Sequence, residues 1–140
     1  MGRLFMSEVV KSGRRHGVMR LVDATGYRLP LAGVVSILHR ISGMLMFFLL
    51  PFILCLLDKS LASEYGFYAI RSLTSGWFVK LVILALVWAY LHHFCAGVRH
   101  LFMDLHYGLD KHTARKSAAS VLAVSLTLAA LIGLKLFGVF

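Results

Sequence analysis

The chain has 140 residues, of which 59% are hydrophobic and only 15% charged, against about 25% charged in an average soluble domain. That balance excludes an ordinary water-soluble globule, and it also excludes disorder, which needs few apolar residues and many charges. The formal net charge of +9 would point to nucleic acid in a soluble protein. In so apolar a chain the basic residues instead read as topology signals and lipid-headgroup contacts, with no nucleic-acid partner.

Residues 1–28 are polar and basic and hold no continuous apolar stretch of the kind a secretory signal needs. They are expected to form a cytoplasmic N-terminal segment. Glu8 and Asp23 argue for a bacterial inner-membrane protein over one carrying a mitochondrial transit sequence, which would be poor in acidic residues.

Three uncharged runs follow, at residues 41–57, 81–98 and 117–134. With their flanks each is long enough to cross a ~30 Å hydrocarbon layer as a helix. They do not alternate polar with apolar residues as barrel strands would. The expected fold is therefore all-α and integral to the membrane. Residues 29–140 form a three-helix anchor domain with spans near 35–57, 78–99 and 117–138. Pro51 predicts a kink in the first span. Cys55 and Cys95 lie in apolar stretches and are expected to be buried neutral thiols. Trp77, Phe78 and Trp88 offer aromatic anchoring at or within the second span.

Seven Lys and Arg residues precede the first span through Arg40, and four more lie at Arg99, Lys111, Arg115 and Lys116. The other two segments share Lys59, Arg71, Lys80 and Lys135. Eleven against four places the N-terminus and the second loop in the cytoplasm and the C-terminus outside.

Polar side chains at membrane depth are expensive and invite a functional reading. Ser36, His39, Arg40 and Gly43 have the spacing that sets residues on one helical face. A hydroxyl, an imidazole and a guanidinium there could hold carboxylates or hydrogen-bond a quinone carbonyl. Interfacial snorkelling of Arg40 accounts for the same pattern equally well. In the second span His92 and His93 stand side by side. A neutral imidazole in hydrocarbon needs a partner, and haem iron is one. His93 shares a stripe with Ala85, Ala89 and Gly97, which leaves room for a macrocycle or a neighbouring helix, whereas His92 shares a face with Trp88 and Ala96. A backbone carbonyl on an adjacent helix is the competing partner for either ring. No second His lies at comparable depth in the other spans, so a six-coordinate haem would draw its other ligand from another chain. The third span carries Ser125, Ala129 and Gly133 four residues apart, a stripe suited to close helix packing.

Ser36-Ile37-Leu38-His39-Arg40-Ile41-Ser42-Gly43, preceded by Arg28-Leu29-Pro30, resembles the S-x-x-H-R-x-[ST]-G signature of the succinate dehydrogenase cytochrome b subunit family. His93, Gly97, Arg99 and His100, followed by Asp104, are similar to that family's second signature. The resemblance covers about residues 27 to 140. Upstream it departs, with Met19–Tyr27 in place of the family's frequent proline-rich lead-in.

The resemblance implies a membrane-anchor cytochrome b subunit of succinate:quinone oxidoreductase, part of a haem-binding helical bundle completed by a second hydrophobic anchor subunit. His93 would be the axial ligand of haem b, the other axial His coming from that companion. His39 and Arg40 would approach the haem propionates. Ser36 and Arg40 would help form a ubiquinone site shared with the iron–sulfur subunit and the companion anchor. Succinate oxidation itself would belong to the flavoprotein subunit. The alternative within this class is the anchor of a menaquinol:fumarate reductase. A small non-haem helical transporter or assembly protein is the alternative from another class, and the absence of an acidic residue inside any span weakens a cation-coupled transporter.

Overall fold

The computed structural model describes residues 29–139, all of its regular structure being helical. The expected N-terminal segment, residues 1–28, lies outside the described residues. Four helices follow in chain order: α1 Leu31–Ala62, α2 Glu64–Ser75, α3 Trp77–Asp104 and α4 Lys111–Leu136.

Helix α1 starts where Pro30 fixes its own φ at −64° and its carbonyl accepts from the Gly33 and Val34 amides. It then runs unbroken through Pro51 to Ala62. Ser63 ends it in extended backbone and at once caps α2, its hydroxyl accepting from the Gly66 amide at 3.0 Å. Helix α2 was not foreseen from the sequence. Its 12 residues span about 18 Å, too short to cross a ~30 Å hydrocarbon layer. Ile70 and Thr74 are its half-buried side, as in a helix lying at the interface rather than across it. Gly66 sits so close to the Lys59 carbonyl that a Cβ there would collide with backbone. That glycine lets the chain double back between α1 and α2.

Helices α1, α3 and α4 each have the length and hydropathy to span a membrane. Their outer surface is apolar, with Phe47, Phe48, Phe52, Phe94 and Leu126 all exposed. The protein is integral to the membrane. Where the three helices meet, Val35 of α1, Ala96 of α3, and Ala118 and Val121 of α4 form the core. Small side chains let the helices approach closely. Ser125, Ala129 and Gly133 continue that buried stripe down α4. A Cβ on Gly133 would lie 3.1 Å from Leu84 Cδ2. Beyond it, Lys80 Nζ of α3 stands 5.8 Å from the Phe137 ring, a cation–π contact at the far end of the bundle.

Helix α3 ends in paired bonds from Tyr107 to the Phe102 carbonyl and from His106 to the Met103 carbonyl. This pattern sets one residue in left-handed backbone, here His106 at φ 64°. The end of α4 repeats it with Gly138 at φ 74°. Asp110 then caps α4, its carboxylate accepting from the Thr113 amide at 2.9 Å, and that bond holds its carboxyl below its ordinary value. The start of α1, the end of α3 and the start of α4 therefore lie at one end of the bundle.

Neither cysteine is enclosed by the chain. Cys55 is exposed on α1, Cys95 is half-buried on α3, and both are free thiols.

Candidate functional site

Two polar strips lie inside this helical body, one between α1 and α3 and one at the three-helix centre. The first is built around His93. Its Nδ1 lies 3.0 Å from the His39 carbonyl and 3.2 Å from Ser42 Oγ. The Ser42 hydroxyl donates to the same His39 carbonyl at 2.9 Å. With the Ser42 proton so committed, a lone pair on Nδ1 would face two acceptor oxygens. Nδ1 therefore carries the proton and donates to the His39 carbonyl, which leaves the Nε2 lone pair free. This is the orienting bond that metal-ligating imidazoles usually make to a second group.

The ring is also held by contacts on its faces. The His39 imidazole stacks on it with centroids 4.2 Å apart and planes 17° from parallel. Gly43 lies so near that a Cβ there would stand 2.8 Å from His93 Cε1. On the other side of His39, His100 lies at 5.0 Å, making a row of three imidazoles. Gly97 of α3 lies beside His39, its Cβ position an ordinary van der Waals 3.5 Å from His39 Nε2. That nitrogen is buried and has no partner among the described residues.

The second strip follows His92, Ala96 and Arg99 along α3. His92 is only 1% exposed. It lies against Val35, yet among the described residues neither of its nitrogens makes a hydrogen bond of good geometry. Trp88 packs beside it at 5.7 Å, and its buried indole N–H likewise has no partner among the described residues. Trp88 is thus half-buried with its indole nitrogen turned inward, while Trp77 and Phe78 at the start of α3 are exposed. Arg99 reaches α4, donating through Nε to Ser117 Oγ at 3.0 Å and through Nη2 to the Ala114 carbonyl at 3.4 Å.

The first strip carries both sequence signatures at the same level of the bundle, and comparison with known proteins agrees. A family model described as succinate dehydrogenase/fumarate reductase transmembrane subunit matches residues 21–132. The chain belongs to this family. It is 37% identical over 114 residues to the succinate dehydrogenase cytochrome b556 subunit of Coxiella burnetii, covering 80% of this chain and 90% of that protein. The Paracoccus denitrificans subunit of the same name is 36% identical over 105 residues, 75% of this chain and 81% of its own. The corresponding protein of Rickettsia prowazekii is 29% identical over 108 residues, 77% and 84% of the two chains.

Within this chain the expected site residues do not all share one contact. His39 and Gly43 face His93 across the α1–α3 contact. Ser36, like His39 and Gly43, is half-buried, and Arg40 is exposed, so of the four residues expected on one face Arg40 falls outside the packing. Helix α3 also continues past Arg99 to Asp104. That places His93 about 16 Å from the end of its helix at 1.5 Å per residue, against about 9 Å to position 99, where the expected span stopped. Ser42 was missed as a functional residue. Its place in the first signature, three residues after His39, was the available signal. Arg99 was counted with the second loop and is instead a buried bridge between helices.

Proposed function

We propose that this chain is the haem-b-binding anchor subunit of a bacterial succinate:ubiquinone oxidoreductase, with His93 as its axial haem ligand. The observation that carries this reading is the His93 Nδ1–His39 carbonyl bond of 3.0 Å, which fixes the tautomer and frees Nε2. A haem b bound there would supply a one-electron carrier beside the quinone. His39 presents a buried unpaired nitrogen, a donor suited to a propionate carboxylate, with Arg40 supplying charge nearby on α1. Stacking on His39 and the bare backbone of Gly43 keep the His93 ring from turning.

Ser36 and Arg40 stand one turn apart near the start of α1. There a hydroxyl and a guanidinium would hold the ubiquinone carbonyl and stabilise negative charge developing on its oxygen, more strongly than in water. A second anchor subunit would donate the other axial imidazole. The flavoprotein and iron–sulfur subunits would dock on this face and deliver electrons from succinate. The excess of Lys and Arg in the N-terminal segment and second loop supports a cytoplasmic position for both and a C-terminus outside a bacterial inner membrane.

The test is the reduced-minus-oxidised spectrum of the gently solubilised complex. His93→Ala is expected to abolish or displace the b-type band, and His92→Ala to retain it. The reverse pattern would move the ligand to His92, and a colourless wild-type complex with all its subunits would end the haem reading.

A further inference from the structure

Behind the α1–α3 strip, on the side formed by α3 and α4 alone, runs an open groove of about 480 Å³. Its walls are apolar, chiefly Phe94, Val98, Phe102, Val121 and Val124, and the Arg99 guanidinium lies among them. Arg99 is only 7% exposed. Its Nε and Nη2 are bound to α4. Among the described residues, Nη1 has no hydrogen-bond partner and no carboxylate pairs with the charge. A buried guanidinium stays protonated, and burying it without a counter-charge is costly.

The depth of this charge matters. Arg99 is just over one turn from the end of α3 at Asp104, about 7 Å along the axis, near the polar end of the bundle. Thr113, Ser117 and Ser120 of α4 bring hydroxyl groups to the same stretch of groove. From there the walls toward Phe94 and Val124 carry no charge. A polar, cationic end and an apolar trough of this order match one molecule in two parts.

We propose that this groove is a specific site for one anionic phospholipid, its phosphate on Arg99 Nη1 and one acyl chain along Phe94, Val98 and Val124. The site uses no residue of α1 and is separate from the His93 strip. The bound lipid would act as the missing counter-charge of the α3–α4 bridge, so that headgroup chemistry and helix packing support each other.

The experiment uses the intact complex in vesicles of phosphatidylcholine with a minority of phosphatidylglycerol. A photo-crosslinking amino acid is placed at position 124, and the adducts are weighed by mass spectrometry. Phosphatidylglycerol adducts are expected in about fivefold excess over their share of the bilayer, the preference one basic side chain gives an anionic lipid. Arg99→Gln should bring the adducts to the bulk ratio. Because that change also loosens the bridge to Ser117, Val124→Trp provides a second arm. It fills the trough without touching the Arg99 bonds and should remove bound phosphatidylglycerol from the purified complex while the haem band stays unchanged. Adducts at the bulk lipid ratio in the unsubstituted-Arg99 complex would overturn the proposal. So would adducts to polypeptide, whether a companion subunit or residues 1–28. Loss of lipid adducts on adding inorganic phosphate would show a site for the free anion and overturn it equally.

Discussion

Gly43→Ala tests the geometry of the His93 strip with a single methyl group. The new Cβ would lie 2.8 Å from His93 Cε1 and 3.3 Å from Nδ1, well inside van der Waals contact. An imidazole at the end of a side chain would ordinarily swing away at little cost. Here the swing breaks the Nδ1–His39 carbonyl bond, with a net loss of about 1 kcal/mol, and disturbs the stacking on His39. Overpacking a filled contact costs about 1–3 kcal/mol. Against these stands the roughly 1 kcal/mol by which alanine exceeds glycine in a helix interior. The balance is a destabilisation of about 1–3 kcal/mol, centred on the ring that would hold iron. The assay is the haem-to-protein ratio of the purified complex together with its thermal unfolding. Both should fall in Gly43→Ala, whereas Gly33→Ala, whose Cβ would rest 3.6 Å from the Pro30 ring, should leave haem content unchanged. A Gly43→Ala complex with full haem and an unshifted transition would refute the reasoning.

Other outcomes follow from the same contacts. Arg40→Ala should depress succinate:ubiquinone turnover far more than succinate oxidation by a soluble artificial acceptor, and equal losses in the two assays would mean failed assembly instead. His92→Leu removes two buried nitrogens that lack partners, so thermal stability should hold or rise with the haem band intact; loss of the band would show that His92 serves iron. His106→Gly relieves left-handed backbone at a non-glycine residue and should raise stability by about 1 kcal/mol, read as a shift in the unfolding transition. The α4 cap should depend on pH. The Thr113 bond lowers the Asp110 carboxyl from its ordinary 3.8, so its contribution is complete above that value and is lost as pH falls through the lower folded value. Hydrogen exchange at the Thr113 amide should accelerate there, Asp110→Asn should abolish the pH dependence, and Asp110→Ala should expose the amide at every pH.

Much of this architecture is written plainly in the chain. Long uncharged runs leave helices as the only spanning structure, and the four-residue stripe Ser125, Ala129, Gly133 marks the buried side of α4. The two signatures singled out His39 and His93 before their rings could be seen stacked. What escaped the sequence depends on how helices are rotated against one another. Ser36, His39, Arg40 and Gly43 fit one face by spacing, but α3 packs against only part of it, and Arg40 falls outside that contact. Ser42 is an unremarkable small residue until its hydroxyl is found fixing the proton of a ring 51 positions away. Arg99 counts as a topology signal by composition, yet Ser117 lies within reach and makes it a bridge. Helix α2 escaped because it is short, interfacial and begun by a serine cap rather than by a hydrophobic run.

Helix α1 holds one further consequence. Its only buried residues are Val35 and Ser42, so from Met44 onward this long helix is covered chiefly by whatever surrounds the molecule. Phe47, Phe48, Leu50, Phe52, Ile53 and Leu54 all face outward there. Newly made copies released into the bilayer ahead of their assembly companions would carry a loosely held rod, easily drawn into wrong pairings and open to membrane proteases. Covering this half of the first helix thus falls to lipid or to a companion chain, since the protein does not itself enclose it.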